Sequence, residues 1–222
     1  MSKWTVSFVA VFVTVAILLS AFSDLTASST VTAYILIDPG HGGEDGGTVA
    51  VDGTTEKHIN LAISSRLYDL FILFGFDTAI TRRTDTSIHA PNCGTTREKK
   101  VSDMRNRLTM YEQADTVISI HQNHFSAPQY AGAQVFYSAA DPRSKSLAES
   151  VQSSIVHLLQ PDNNRQIKKA TDGIYLLHHT SRCAILVECG FLSNPTERER
   201  LKDNVYQQHL AIAVFHGYLM GR

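Results

Sequence analysis

Short apolar runs alternate along the chain with longer segments whose apolar positions recur every three or four residues. The runs "YILID" (34–38), "FDTAI" (76–80), "TVISIH" (116–121), "AQVFY" (133–137), "IYLL" (174–177) and "AILVE" (184–188) have the length of buried strands. Helical patterns fall between or after them, at about 56–74, 101–113, 142–159, 196–202 and 204–220. In the first, Ile59, Ile63, Leu67, Leu70 and Phe74 form the stripe, Lys57, Arg66 and Asp69 fall elsewhere, and Gly75 supplies a helix-ending glycine. This alternation predicts an α/β fold, a single domain with a central, mostly parallel sheet covered by helices on both faces. The polar stretch "TRRTDTSIHAPNCGTTREKK" between Thr81 and Val101 predicts a long loop over one end of that sheet.

One segment breaks the alternation. "TVSFVAVFVTVAILLSAF", residues 5–22, carries no charge and follows the single Lys3, which predicts a hydrophobic export segment. Its length suits a cleaved signal or a retained membrane anchor equally. Residues 1–23 are therefore expected to be signal or anchor, 24–33 a Ser/Thr-rich spacer, and 34–222 the working domain. At 222 residues with 43% hydrophobic and 18% charged positions, the chain can bury one sizeable core plus that extension. Twenty basic residues against 21 acidic ones leave a net charge of −1, so no field suited to nucleic acid is present. Of the three cysteines, Cys183 and Cys189 stand roughly 20 Å apart if both lie on one strand, so they do not pair with each other. No CxxC spacing points to a cysteine metal site.

In open parallel sheets ligands bind beyond the carboxyl ends of the strands. The first strand ends in Asp38-Pro39-Gly40-His41, and the loop returns into a helix whose first turn carries Glu56. "TVISI" ends in His121, followed by Gln122, Asn123 and His124, and "AILV" ends in Glu188. Two imidazoles and one carboxylate make a catalytic zinc set that leaves a position open for water, and the remaining carboxylate is free to act as a base. Such a division of labour predicts hydrolysis. A single histidine at a strand end is more often structural, but a carboxylate within an apolar strand is costly and marks a site. Gly40, Gly42 and Gly43 permit positive φ and let backbone and substrate approach His41. Asp38 is expected to fasten the turn by accepting backbone N–H groups. His124 is an alternative ligand and Asp45 a further metal candidate, whereas the other seven histidines read as surface or packing residues. "GHGGEDGG" lacks the Gly-Lys-Ser/Thr ending of a phosphate loop.

The ordered motifs "IDPGHGGEDGG", "EKHINLA", "TRRTD", "SIHQNH" and "LVECGFLSNPTE" resemble the zinc-dependent N-acetylmuramoyl-L-alanine amidases of the Amidase_3 type, over about residues 34–220. The resemblance implies that His41, Glu56 and His121 ligate a zinc ion (Zn2+) and that Glu188 is the catalytic glutamate. It implies an α/β fold and cleavage of the amide between the lactyl group of muramic acid and L-alanine. "REKKVSDMRNRL", "GAQVFYS", "GIYLL" and "GFLSNPTE" are most similar to the spore-cortex members of the family, which implies removal of peptide stems on the way to muramic-δ-lactam. One departure is Tyr111-Glu112, where many members have Ala-Asn.

Peptidoglycan glycan strands with their peptide stems are the expected substrate, outside the cytoplasm at the cell wall or between the spore membranes. The loop at 81–101 is expected to border a glycan groove. With no wall-targeting repeat legible, a membrane or lipoprotein partner that positions the chain or stabilises its metal site is a further expectation. The rivals are a zinc carboxypeptidase or endopeptidase, a metal-dependent sugar deacetylase, and an inactive wall-binding module.

Overall fold

The computed structural model describes residues 34–222, so the expected signal or anchor at 1–23 and the spacer at 24–33 lie outside the described residues. Among those described, no helix is long and apolar enough to cross a membrane. The strands are β1 (Ile35–Pro39), β2 (Thr78–Ile80), β3 (Thr116–Asn123), β4 (Gln134–Tyr137), β5 (Lys168–Lys169) and β6 (Cys183–Phe191). The helices are α1 (Glu56–Leu73), α2 (Thr96–Tyr111), α3 (Arg143–Leu159), α4 (Tyr175–His179), α5 (Pro195–Lys202) and α6 (Asn204–Gly221). One sheet runs in the order β2-β1-β3-β6-β4-β5. All neighbours are parallel except β4 against β6.

Because side chains alternate across a strand, each strand serves two cores. Ile35, Ile37, Ile118, Ile120, Ile185 and Val187 point into the larger one, with α1, α3 and α6 packed over them. Phe71 sits at its centre, its ring edge-on to Phe76, Phe215 and Tyr218. Leu36, Val117, Ala184 and Leu186 point the other way and, among the described residues, the helices that cover them are α2 and the short α4, through Tyr111, Leu176 and Leu177. The same parity puts Asp38, Ser119, His121 and Glu188 on this second face, at the carboxyl ends of their strands. The lighter cover leaves those ends open.

Two elements differ from the sequence pattern. "IYLL" is not a strand: Tyr175–His179 is a helical turn, and the sixth strand of the sheet is instead the two-residue edge strand Lys168–Lys169, too short and polar to leave a period. The second helix begins at Thr96 rather than near 101, because Thr95 and Glu98 form a reciprocal capping box. That box ends the long loop at Thr95. At the close of α1, Gly75 takes a φ of +80° and donates to the Ile72 carbonyl, as expected of a terminating glycine. All three cysteines are free, with Cys183 and Cys189 buried in β6.

Asp38 does not fasten its turn through backbone N–H groups. Fully buried, it accepts from Thr81 Oγ1 (2.7 Å), Tyr111 Oη (2.6 Å), Ser119 Oγ (3.1 Å) and the Arg107 guanidinium. A carboxylate with no solvent needs charge neutralisation, and α2 delivers it. Burial raises its pKa, but Arg107 and the hydroxyl donors outweigh this and hold it at about 2 against an ordinary 3.8. A depressed folded-state pKa contributes stability above the unfolded value and loses it as pH falls through the folded value. The pair should therefore lose about 2 kcal/mol between roughly pH 4 and 2. Asp38→Asn should cost about 1–3 kcal/mol at neutral pH, because it removes one of the two carboxylates that neutralise Arg107 and leaves Asp103 as the other, and it should flatten the acid limb. Denaturant unfolding across pH checks both; an unchanged acid limb in Asp38→Asn contradicts the assignment.

Candidate active site

Three chain segments converge at the open end of the second face. His41 lies on the turn after β1 with a φ of +62°, the one non-glycine residue with positive φ among the described residues. A histidine in that region stores about 1–3 kcal/mol of strain, which persists only where surrounding contacts enforce it. Glu56 opens α1 and is buried, its charge favoured by the helix N-terminus. His121 ends the apolar part of β3.

Glu56 is the hub. Its Oε1 lies 2.9 Å from His121 Nδ1 and 3.3 Å from His41 Nε2, and one ligand atom from each of the three residues falls within 4.8 Å of the others. Oε1 also accepts from Gln122 N (3.1 Å) and Asn60 Nδ2 (3.2 Å), and Oε2 from Thr48 N (2.9 Å). Burial alone would raise its pKa, but His121 and His41 hold it far below the usual carboxylate range. Behind His41, Asp45 Oδ2 sits 3.0 Å from Nδ1 and leaves Nε2 directed at Glu56. Desolvation lowers the His41 pKa, yet the bonds to Asp45 and Glu56 outweigh it and push it up to about 9. Asp45 is thus not in the donor set; it orients a donor, as carboxylates behind metal-binding histidines do.

His124 is exposed and outside the cluster, so the alternative ligand is not brought in. Glu188 is. It stands in register with His121 on the adjacent strand, partly buried, with Oε2 occluded and without a hydrogen-bond partner. Desolvation pushes its carboxyl up to about 7; neighbouring Glu56 adds to this and His121 opposes it.

The glycines of the turn meet the expectation at Gly42 and Gly43 and depart from it at Gly40. Gly42 and Gly43 have positive φ, but Gly40 does not: a Cβ there would lie 2.2 Å from the His121 ring. A Cβ on Gly47, φ +64°, would lie 2.6 Å from Glu56 Oε2 and from His41 Cδ2. These two glycines make room for the His121, Glu56 and His41 side chains. Gly40→Ala should displace His121 and lower activity about 100-fold, since misplacement by ~1 Å has that effect. Wild-type turnover in a folded Gly40→Ala protein would contradict this packing.

Two adjoining clefts share His41, Asp45, Lys100, His121 and Glu188. One, about 390 Å³, runs under α2 and α4 past Met104, Tyr111, Ile174 and Leu176, with Ser87 and His89 of the long loop at its border. The other, about 430 Å³, is more polar and is bounded by Thr48, Gln122, Asn123 and His124. The sequence pattern gave no sign of Asn60 beside Glu56, of Asp45 as the acceptor behind His41, or of the Arg107–Asp38 pair beneath the turn. The one available signal was the spacing of Asp103, Arg107 and Tyr111, one charged and aromatic stripe at successive helical turns.

Residues 35–218 match the family described as N-acetylmuramoyl-L-alanine amidase. The chain belongs to that family. It is 32% identical over 187 residues to the germination-specific N-acetylmuramoyl-L-alanine amidase of Bacillus subtilis, covering 83% of this chain and 78% of that one. It is 27% identical to the amidase AmiA of Escherichia coli, over 83% of this chain and 74% of that one. Among solved structures, the CwlD amidase from Clostridioides difficile, in complex with the GerS lipoprotein, superposes with a TM-score of 0.81 at 37% identity, covering 85% of this chain and 98% of that one. The enzyme is accordingly an amidase of peptidoglycan, acting at the bond between muramic acid and L-alanine.

Proposed function

We propose that the enzyme is a zinc amidase of spore-cortex peptidoglycan, in which His41, Glu56 and His121 hold the metal and Glu188 is the catalytic base. The observation that carries this reading is the convergence of three donor atoms within 4.8 Å beside a buried, unpartnered Glu188 oxygen. The donor set fits zinc: two imidazoles and an anionic carboxylate suit a borderline ion, and Gly40 and Gly47 leave the donors space to close on it. Bound zinc would supply Lewis acidity that polarises a carbonyl and acidifies water at the open position of a three-ligand site.

The chain's own residues do the rest. Glu188 accepts a proton from the attacking water as its oxygen adds to the lactyl carbonyl carbon. It then delivers that proton to the departing amine nitrogen of L-alanine, leaving a lactyl carboxylate and a free peptide stem. A carboxyl raised to about 7 can both take and return a proton near neutral pH. Asp45 and Asn60 orient His41 and Glu56, and Lys100 brings a positive charge to the rim shared by both clefts.

The cortex assignment, on the route to muramic-δ-lactam, is supported by likeness to the germination-specific enzyme. The lipoprotein complex of the CwlD neighbour supports a lipoprotein partner here as well. Extracytoplasmic action fits a peptidoglycan substrate, and the uncharged apolar run at 5–22 supports a signal or anchor at the N-terminus.

Mass analysis of digested cortex and vegetative peptidoglycan tests the reading. Free stems beginning with L-alanine, and muramic acid with a free lactyl carboxyl, are expected, with cortex preferred. Shortened stems still attached to glycan would make it a carboxypeptidase or endopeptidase, and released acetate a deacetylase.

A further inference from the structure

"TRRTD" and "SDMRNRL" contribute no donor to the metal cluster and no base, yet each sends a buried arginine to the His41 turn. Arg82 and Arg107 are both almost wholly buried. Arg82 donates from Nε to the Pro39 carbonyl (3.1 Å) and from Nη2 to the Gly40 carbonyl (2.9 Å) and the Lys57 carbonyl (2.9 Å). Arg107 donates from Nη1 to the Pro39 carbonyl (3.0 Å) and from Nη2 to the His41 carbonyl (2.8 Å). Every carbonyl from Pro39 to His41 therefore accepts from a guanidinium. Strand and helix ladders cannot serve these groups, because the chain leaves β1 at Pro39 and turns through the left-handed region at His41.

The arginines are themselves held. Arg107 Nε meets Asp103 Oδ2 at 2.6 Å, while its Nη1 meets Asp38. Asp103 Oδ1 accepts from Ser87 Oγ and Ile88 N, each at 2.7 Å, so α2 fixes the long loop and the guanidinium together. Tyr111, at the departure from the family pattern, closes the other side of Asp38.

We propose that Arg82 and Arg107 are positioning residues for the metal: their clamp on the three carbonyls holds His41 in its strained conformation and thereby sets the zinc affinity of the site. This rests on the zinc reading above. Without the clamp, His41 relaxes toward negative φ and its imidazole leaves the cluster. A lysine keeps the charge but offers one nitrogen in place of a planar fork, so it cannot serve the same acceptors together.

The test is zinc affinity by chelator competition for Arg82→Lys and Arg107→Lys, with fold checked by circular dichroism. Val214→Ala, a cavity in the opposite core, supplies a destabilised control. Each lysine variant is expected to bind zinc about 10- to 100-fold more weakly, the scale of residues that support metal ligands. Excess zinc should restore much of the lost turnover, and the control should bind zinc like wild type. Affinity within about twofold of wild type in both folded lysine variants overturns the proposal, as does an equal loss in the control. Failure of both lysine variants to fold also overturns it, making the arginines folding elements. Wild-type protein that binds no zinc would defeat the ligand assignment itself, a separate outcome.

Discussion

Glu188→Gln should lower amide hydrolysis by about 10²- to 10⁴-fold, the contribution expected of a positioned general base. Glutamine has nearly the volume of glutamate, so the strand register with His121 and the lining of both clefts survive. What disappears is the proton acceptor. Glu188 Oε2 has no hydrogen-bond partner, so the substitution breaks no structural bond there, and unfolding should scarcely change. KM should move little, because the lost interaction is made in the transition state. Muropeptide turnover and zinc content are measured on the same preparation. Wild-type turnover with zinc bound would remove Glu188 from the mechanism.

His41→Ala should have the second large effect, through loss of the metal. Of three donors one vanishes, and the loss should exceed the roughly 10- to 100-fold typical of supporting residues. The turn itself should relax, since alanine gains nothing from a φ of +62° and Asp45 has no ring to orient. A pH signature accompanies this. His41, raised to about 9, is protonated in the metal-free protein at neutral pH and must lose that proton to ligate. Zinc affinity of the wild type should therefore rise about tenfold per pH unit from neutrality toward 9, in addition to any other ligand proton. His41→Ala should lack that component. A full zinc complement in the variant, or the same pH slope, would take His41 out of the ligand set.

The strand-end logic was legible because parallel sheets announce themselves as apolar runs, and a polar residue closing such a run is conspicuous. His121 and Glu188 follow from that directly, and the sheet parity explains why both face one side. Glu56 was legible as the first residue of an amphipathic stripe that holds at Ile59, Ile63 and Leu67, although Phe71 rather than the exposed Phe74 carries its end into the core. What the sequence hid was tertiary. The capping box at Thr95 sat inside a polar tract that resembled a loop. The α4 turn overlaps the four-residue apolar run Ile174-Tyr175-Leu176-Leu177, whose length suits a strand. Asp38 looked like a turn residue because Pro39 follows it, whereas its partners Thr81, Arg107, Tyr111 and Ser119 come from three distant segments. No local pattern encodes such a convergence. The glycines were read correctly as conformational licence at Gly42 and Gly43, but the steric need at Gly40 and Gly47 appears only once His121 and Glu56 are in place.

In the proposed mechanism one metal, held by His41, Glu56 and His121, is required for cleavage of the lactyl to alanine bond. Its most direct test is to strip the enzyme with chelator, return zinc in steps, and follow release of L-alanine-terminated stems by mass. Negligible release is expected from the stripped enzyme, with recovery that saturates near one zinc per chain. Full-rate cleavage by the stripped enzyme would contradict it.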